Sequence, residues 1–131
     1  MQLDGKTSIV TGAASGFGAG IARAFAAEGA QVLVADLNGD GAKAIADEIG
    51  GHAVQVDVSN GASVQAMADT ALATFGHLDI LVNNAGITHM PQALEDVTEE
   101  DFDRVLAVNA KSVYLTARAL VPHFKARKAG A

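Results

Sequence analysis

Cysteine is absent from the 131-residue chain. That removes disulfides, thiolate zinc sites and a cysteine nucleophile together, and it fits a reducing, cytoplasmic setting. Proline is scarce, at 2 residues against 14 glycines, so tight turns are many and helix breaks few. No apolar run approaches the ~18 residues that a membrane helix needs. The N-terminus, Met1-Gln2-Leu3-Asp4, turns polar too soon for a secretory apolar region. Basic residues number 9 against 15 acidic ones, for a formal net charge of -6. Nothing basic clusters to displace counterions from a phosphate backbone. Neither a nucleic acid nor a membrane is therefore an expected partner. The chain is 50% hydrophobic, ample for a packed core, and its length suits one domain or part of a larger one.

Four short apolar runs stand out: Thr7–Val10, Gln31–Asp36, Ala53–Val58 and Leu78–Val82. Each is rich in β-branched residues and reads as a strand buried on both faces of a parallel sheet. Between them lie helical patterns at 19–28, 42–49 and 62–75, stopped by Gly29, Gly50-Gly51 and Gly76. Strand and helix at this rhythm predict right-handed βαβ units. Thr98-Glu99-Glu100-Asp101 has the form of a helix start, with an acid three residues after the threonine. The following helix is expected to turn Phe102, Val105 and Leu106 inward and to run towards Lys125, with Pro122 kinking it or ending it early. The expected fold is α/β, a Rossmann-type doubly wound parallel sheet. It would be incomplete, with four strands and alternating helices, and residues 1–131 would be the N-terminal part of one domain with no second domain.

Thr11-Gly12-Ala13-Ala14-Ser15-Gly16-Phe17-Gly18 follows the first strand and opens the first helix, the context a dinucleotide fingerprint requires. Gly12 lets the chain turn off the strand. Gly16 lets backbone approach a pyrophosphate without a Cβ in the way. Gly18 allows the helix to pack closely. The helix N-terminus then offers free N–H groups to phosphates. Asp36 ends the second strand near the spacing expected of a carboxylate that binds ribose hydroxyls. A carboxylate there repels a 2′-phosphate, and Leu37-Asn38-Gly39 bring no base to reverse that. NAD is thus favoured over NADP.

These residues, with Asp57-Val58, Asn83-Asn84-Ala85-Gly86 and Val108-Asn109, stand in the order and spacing of a known family. Over essentially its whole length the chain resembles the N-terminal half of a short-chain dehydrogenase/reductase. Members similar to 3-oxoacyl-carrier-protein reductases and to sugar or alcohol dehydrogenases both fit. The resemblance implies that Gly12, Ser15, Gly16, Phe17 and Gly18 form the phosphate loop, with Phe17 at a position more often Ile. It implies that Asp36 and Leu37 meet the ribose end, that Asp57 and Val58 hold adenine, and that Asn84, Ala85 and Gly86 line the cofactor. Asn109 corresponds to the helix residue that holds a proton-relay water. The plainer readings stand beside these: Asp57 as a helix cap with Ser59, Asn83 and Asn84 as turn residues, Asn109 on a solvated helix face.

The family's catalytic Ser and Tyr-x-x-x-Lys have no counterpart here. Tyr114 is the only tyrosine, it is followed four residues on by Arg118, and it falls too early; packing is its expected role, and Ser112 is set aside with it. The histidines (His52, His77, His89, His123) show no zinc-ligand spacing, so no metal is expected; His89 is read as an exposed loop residue that could face substrate. A stop at Ala131 falls before the expected fifth strand and would leave strand four an unpaired edge, so the chain reads as a fragment, a cleaved chain or an incomplete record of a longer enzyme, inactive alone. The resemblance implies an NAD-dependent oxidoreductase moving a hydride between nicotinamide and a carbonyl or secondary alcohol of a small-molecule substrate. It also implies a homotetramer built through the long helix around 98–125. Two alternatives remain, a non-catalytic NAD-binding module and an S-adenosylmethionine-dependent methyltransferase, the latter disfavoured by the glycine spacing and the Asn-Asn-Ala-Gly turn.

Overall fold

β-branched and apolar residues in short runs build β1 (Thr7–Thr11), β2 (Gln31–Asp36), β3 (His52–Gln55) and β4 (Ile80–Val82). In the computed structural model, which describes residues 1–131, they form one parallel sheet in the order β3-β2-β1-β4. The helices α1 (Gly16–Ala27), α2 (Gly39–Ile49) and α3 (Gly61–Phe75) connect them. After β4 come a 3-10 turn at Leu94–Asp96, α4 (Glu99–Leu106), a π-helical turn at Ala107–Lys111 and α5 (Ser112–Arg127).

Strand alternation sends side chains to two cores. Ile9 and Leu33 pack with Met67, Leu78, Leu115 and Leu120 under α3 and α5. Val10, Val32 and Val34 pack with Ala19, Ala22, Ala42 and Ile45 under α1 and α2. Each large side chain so buried contributes about 1.5–3 kcal/mol. The result is the doubly wound α/β sandwich expected from the sequence. α2 and α3 stop at Gly50 and Gly76, both at positive φ, and Thr98 Oγ1 caps α4 by accepting the Asp101 N–H at 3.1 Å.

Five expectations change. β3 is not buried on both faces; it is an edge strand, and Val56 and Val58 beyond it carry the burial. β4 is three residues long and only half-buried. Its outer edge is not bare: Ala131 donates to Asp79 O at 2.9 Å and accepts from Leu81 N at 2.8 Å. Phe102 and Leu106 point outward, 52% and 47% exposed, because no element covers that side of α4. Pro122 does not end α5, which runs on to Arg127. Its missing N–H deprives only the carbonyl of Arg118, and that residue faces water. No helix is long and apolar enough to cross a membrane.

Candidate functional site

The order β3-β2-β1-β4 reverses direction between β1 and β4. The connections that leave the two paired strands run to opposite faces there, and the crevice beyond their carboxyl ends is where ligands of such sheets bind. A cleft of ≈ 420 Å³ opens at that point, within the range of small-molecule sites.

The glycine loop forms its floor. Gly12, at φ 64, carries the chain off β1 so closely that a Cβ there would lie 2.9 Å from Ala85 Cα. Gly18 packs against the Gly12 carbonyl oxygen and the Asn84 carboxamide. Gly16, at φ 57, would meet nothing within 4 Å; its open side faces away from protein. Ser15 is the N-cap of α1, yet its side chain makes no capping bond. The first-turn N–H groups therefore lack a side-chain partner, and Phe17, 90% exposed, stands beside them in the cleft wall.

Asp36 closes one end. Its Oδ2 accepts the Ala14 N–H at 3.0 Å and its Oδ1 the Asn38 N–H at 2.9 Å. Two donors from different segments hold the carboxylate in one orientation, and it lines the cleft with Leu37. Asp57 and Val58 continue the same wall. Asp57 does not cap α3, because Asn60 does, through Ser63 N at 2.9 Å. Instead Asp57 Oδ1 takes both the N–H and the hydroxyl of Ser59, at 3.0 and 2.6 Å.

The turn after β4 closes the other end with Asn84, Ala85 and Gly86. The Asn84 side chain reaches back, and its Nδ2 donates to Thr11 O at 3.0 Å and Gly12 O at 3.2 Å. Thr11 Oγ1 completes the tie: it donates to Val82 O at 3.2 Å and accepts the N–H groups of Asn84 and Ala85, each at 3.1 Å. Asn84 thus holds the glycine loop to the β4 turn. Asn109 lies in the π-helical turn, a geometry frequent at functional sites. Its Oδ1 accepts the Ile87 N–H at 2.8 Å and its Nδ2 donates to Ile87 O at 2.7 Å.

Of the residues singled out from the sequence, Gly12, Ser15, Phe17, Asp36 and Leu37 line the cleft on one side. Asp57 and Val58 continue that side, and Asn84, Ala85 and Gly86 line it at the other end. Gly16, Gly18 and Asn109 do not line it; they shape or brace what does. Sequence reasoning missed Ile87, read Val56 only as strand and Val108 only as part of a motif, all three of which supply apolar wall, and missed the bracing role of Thr11. It also missed Thr116, whose buried hydroxyl donates to Asn83 Oδ1 at 2.9 Å. A hydroxyl at the end of a buried strand was the available signal for Thr11; nothing local marked Thr116. Tyr114 is not a packing residue: it is 57% exposed and accepts from Arg118 Nη1 at 3.4 Å. Ser112 donates to Val108 O within the helix. His89 is bonded to its neighbour Met90 O at 2.8 Å and lies outside the cleft.

Residues 6–131 match the family model described as short chain dehydrogenase. The chain belongs to the short-chain dehydrogenase family. Among relatives of this short-chain dehydrogenase chain, a D-threitol dehydrogenase of Mycolicibacterium smegmatis is 45% identical, over 91% of this chain and 47% of the relative. A 4-formylbenzenesulfonate dehydrogenase of Comamonas testosteroni is 50% identical, over 95% of this chain and 51% of the relative. A crystal structure of 3-ketoacyl-(acyl-carrier-protein) reductase from Brucella melitensis complexed with NADH superposes at TM-score 0.93 and 50% identity. It is covered over 52% of its length by 95% of this chain. The short-chain dehydrogenase chain therefore spans about half the length of the curated relatives it matches.

Proposed function

We propose that this chain is the cofactor-binding half of an NAD-dependent oxidoreductase acting on a carbonyl or secondary alcohol of a small molecule. The observation that carries the reading is the Asp36 carboxylate, held by two backbone donors at one end of the cleft with only Leu37 and Asn38 following. The residues present fit a dinucleotide. The uncapped N-terminus of α1 and the open side of Gly16 offer N–H donors and room to a pyrophosphate. Asp36 accepts from ribose hydroxyls; Asp57 and Val58 flank the adenine end; Ala85 and Gly86 line the far end. When bound, nicotinamide supplies the hydride chemistry. Asn109 braces the Ile87 peptide at that end, and its second amide N–H is available to a water in the proton path. The related Brucella reductase is described with NADH, and the absence of cysteine fits a cytoplasmic location.

Isothermal calorimetry on the folded chain is the test. NAD is expected to bind at least about tenfold more tightly than NADP, and Asp36→Ala to remove most of that margin, since an unpaired 2′-phosphate faces like charge. Equal affinities for the two, or tighter binding of S-adenosylmethionine, would sink the reading.

We also propose self-association through α4 and α5. Their outer face carries Phe102, Leu106, Val113, Tyr114 and Val121, all exposed. α4 opens on Glu99, Glu100 and Asp101, and α5 carries Lys125 in its last turn. Two copies laid antiparallel would match acid to base across a two-fold axis. The full-length protein is expected to scatter light as a tetramer; a monomer at micromolar concentration would refute this interface.

A further inference from the structure

The reading of Asp36 as the ribose carboxylate raises a further point, which rests on it: what keeps that carboxylate aimed. One of its two supports is the Asn38 N–H, at 2.9 Å. That N–H belongs to the Leu37–Asn38 peptide, and the carbonyl of the same peptide is also held. Gln55 Nε2 donates to Leu37 O at 3.0 Å. Gln55 is the last residue of β3 and pairs with Asp36 itself in the β2–β3 ladder. One peptide plane is therefore gripped at both ends, by Gln55 on its oxygen and by Asp36 on its N–H.

We infer that Gln55 is a positioning residue for cofactor selectivity. With Gln55 in place, the peptide cannot rotate without losing a bond at each end. Its N–H stays on Asp36 Oδ1, and a hydrogen bond to the carbonyl strengthens the donor on the other side of the same amide. Without Gln55, the peptide is free to flip. The flip would present a carbonyl oxygen to the carboxylate, and Asp36 would turn away from the ribose. Asn38 limits the rest of the turn, its Oδ1 accepting Gly41 N at 3.0 Å as the cap of α2, so the Leu37–Asn38 peptide is the part left movable. Gly39 leaves space for the Gln55 stem: a Cβ there would lie 3.3 Å from Gln55 Cβ, so Gly39→Ala should shift the same side chain slightly.

Gln55 does not line the cleft, so its effect must travel through Asp36. A ligand that uses the Asp36 carboxylate then loses affinity when Gln55 is changed, and one that is repelled by it does not. Calorimetry of Gln55→Leu, Gln55→Glu and Gly39→Ala with NAD and with NADP tests this. Leu removes the donor at similar volume; Glu sets a second acceptor against Leu37 O. NAD affinity is expected to fall about fivefold in the first two variants, the effect of one hydrogen bond, and less in Gly39→Ala, while NADP affinity in Gln55→Leu does not fall but rises as the carboxylate swings clear of the 2′-phosphate. Equal losses for both cofactors would show a merely structural role, and no loss for either would overturn the inference outright. Asp36→Ala in parallel separates the two claims. If it leaves the NAD preference intact, the ribose reading fails; if it removes the preference while the Gln55 variants keep it, only the Gln55 inference fails.

Discussion

Gly18→Ala is expected to cost the fold about 3 kcal/mol, the upper end of overpacking penalties, and to abolish measurable binding of the proposed dinucleotide. An added Cβ would fall on the Gly12 carbonyl oxygen and against Asn84 Nδ2. Neither can give way cheaply. The first is backbone in a turn already at φ 64. The second is not a loose side-chain end, because it donates to Thr11 O and Gly12 O at 3.0 and 3.2 Å. Relief of the clash therefore lifts α1 off the β1 turn or breaks the tie between the glycine loop and the β4 turn, and either opens the floor of the cleft. Gly20→Ala is the matched control. It sits in the same helix with nothing within 4 Å of its added Cβ, so it is expected to stabilise by roughly 0.5–1 kcal/mol through helix propensity. Urea unfolding followed by circular dichroism reads both. A Gly18→Ala chain within 0.5 kcal/mol of its parent, by the ordinary scale of surface substitutions, would contradict the close approach.

β1 and β2 read correctly because both their faces are buried, so composition alone marks them. β3 misled for the opposite reason. The run Ala53–Val58 is apolar, but only Val56 and Val58 are buried, and they lie past the last ladder residue. α4 has the clearest amphipathic pattern in the chain, yet none of its residues is buried. Periodicity says that one face is apolar; it does not say that a partner is present to cover it.

At the site, spacing along the chain located Asp36, Asp57 and the β4 turn, because each sits at a strand end where the sheet geometry must place it. Roles were harder. Asn84 was legible as a member of the turn, but its hydrogen bonds cross to residues more than seventy positions earlier. Thr11, Thr116 and Gln55 act through bonds of the same long-range kind. No local pattern encodes such pairings, since either partner alone reads as an ordinary polar residue.

The end of the sheet opposite the cleft carries the second large effect. Asp79→Asn is expected to lose about 2 kcal/mol of stability at pH 7, the cost of breaking a mostly buried, charge-assisted network. Asp79 Oδ2 accepts the Thr7 N–H at 3.0 Å and lies 3.2 Å from His77 Nε2, while Oδ1 takes Arg127 Nη1 at 3.2 Å. Arg127 also donates to Leu78 O at 2.7 Å. One carboxylate thus joins the start of β1, the approach to β4 and the last turn of α5. Burial alone pushes its carboxyl upward, but the Thr7 N–H, Arg127 and His77 together outweigh burial and hold it below the ordinary 3.8. The folded chain therefore favours the charged form. This stabilisation is full above the unfolded value of 3.8 and disappears as the pH falls through the lower folded value. Urea unfolding free energies collected downward from pH 7 are expected to bend down below that point in the parent chain. Asn carries no proton to gain, so its curve is expected to start lower and lose this bend, converging on the parent in acid. Parallel curves, with the same acid bend in both, would mean that another carboxylate carries the linkage and that Asp79 acts only as a hydrogen-bond acceptor.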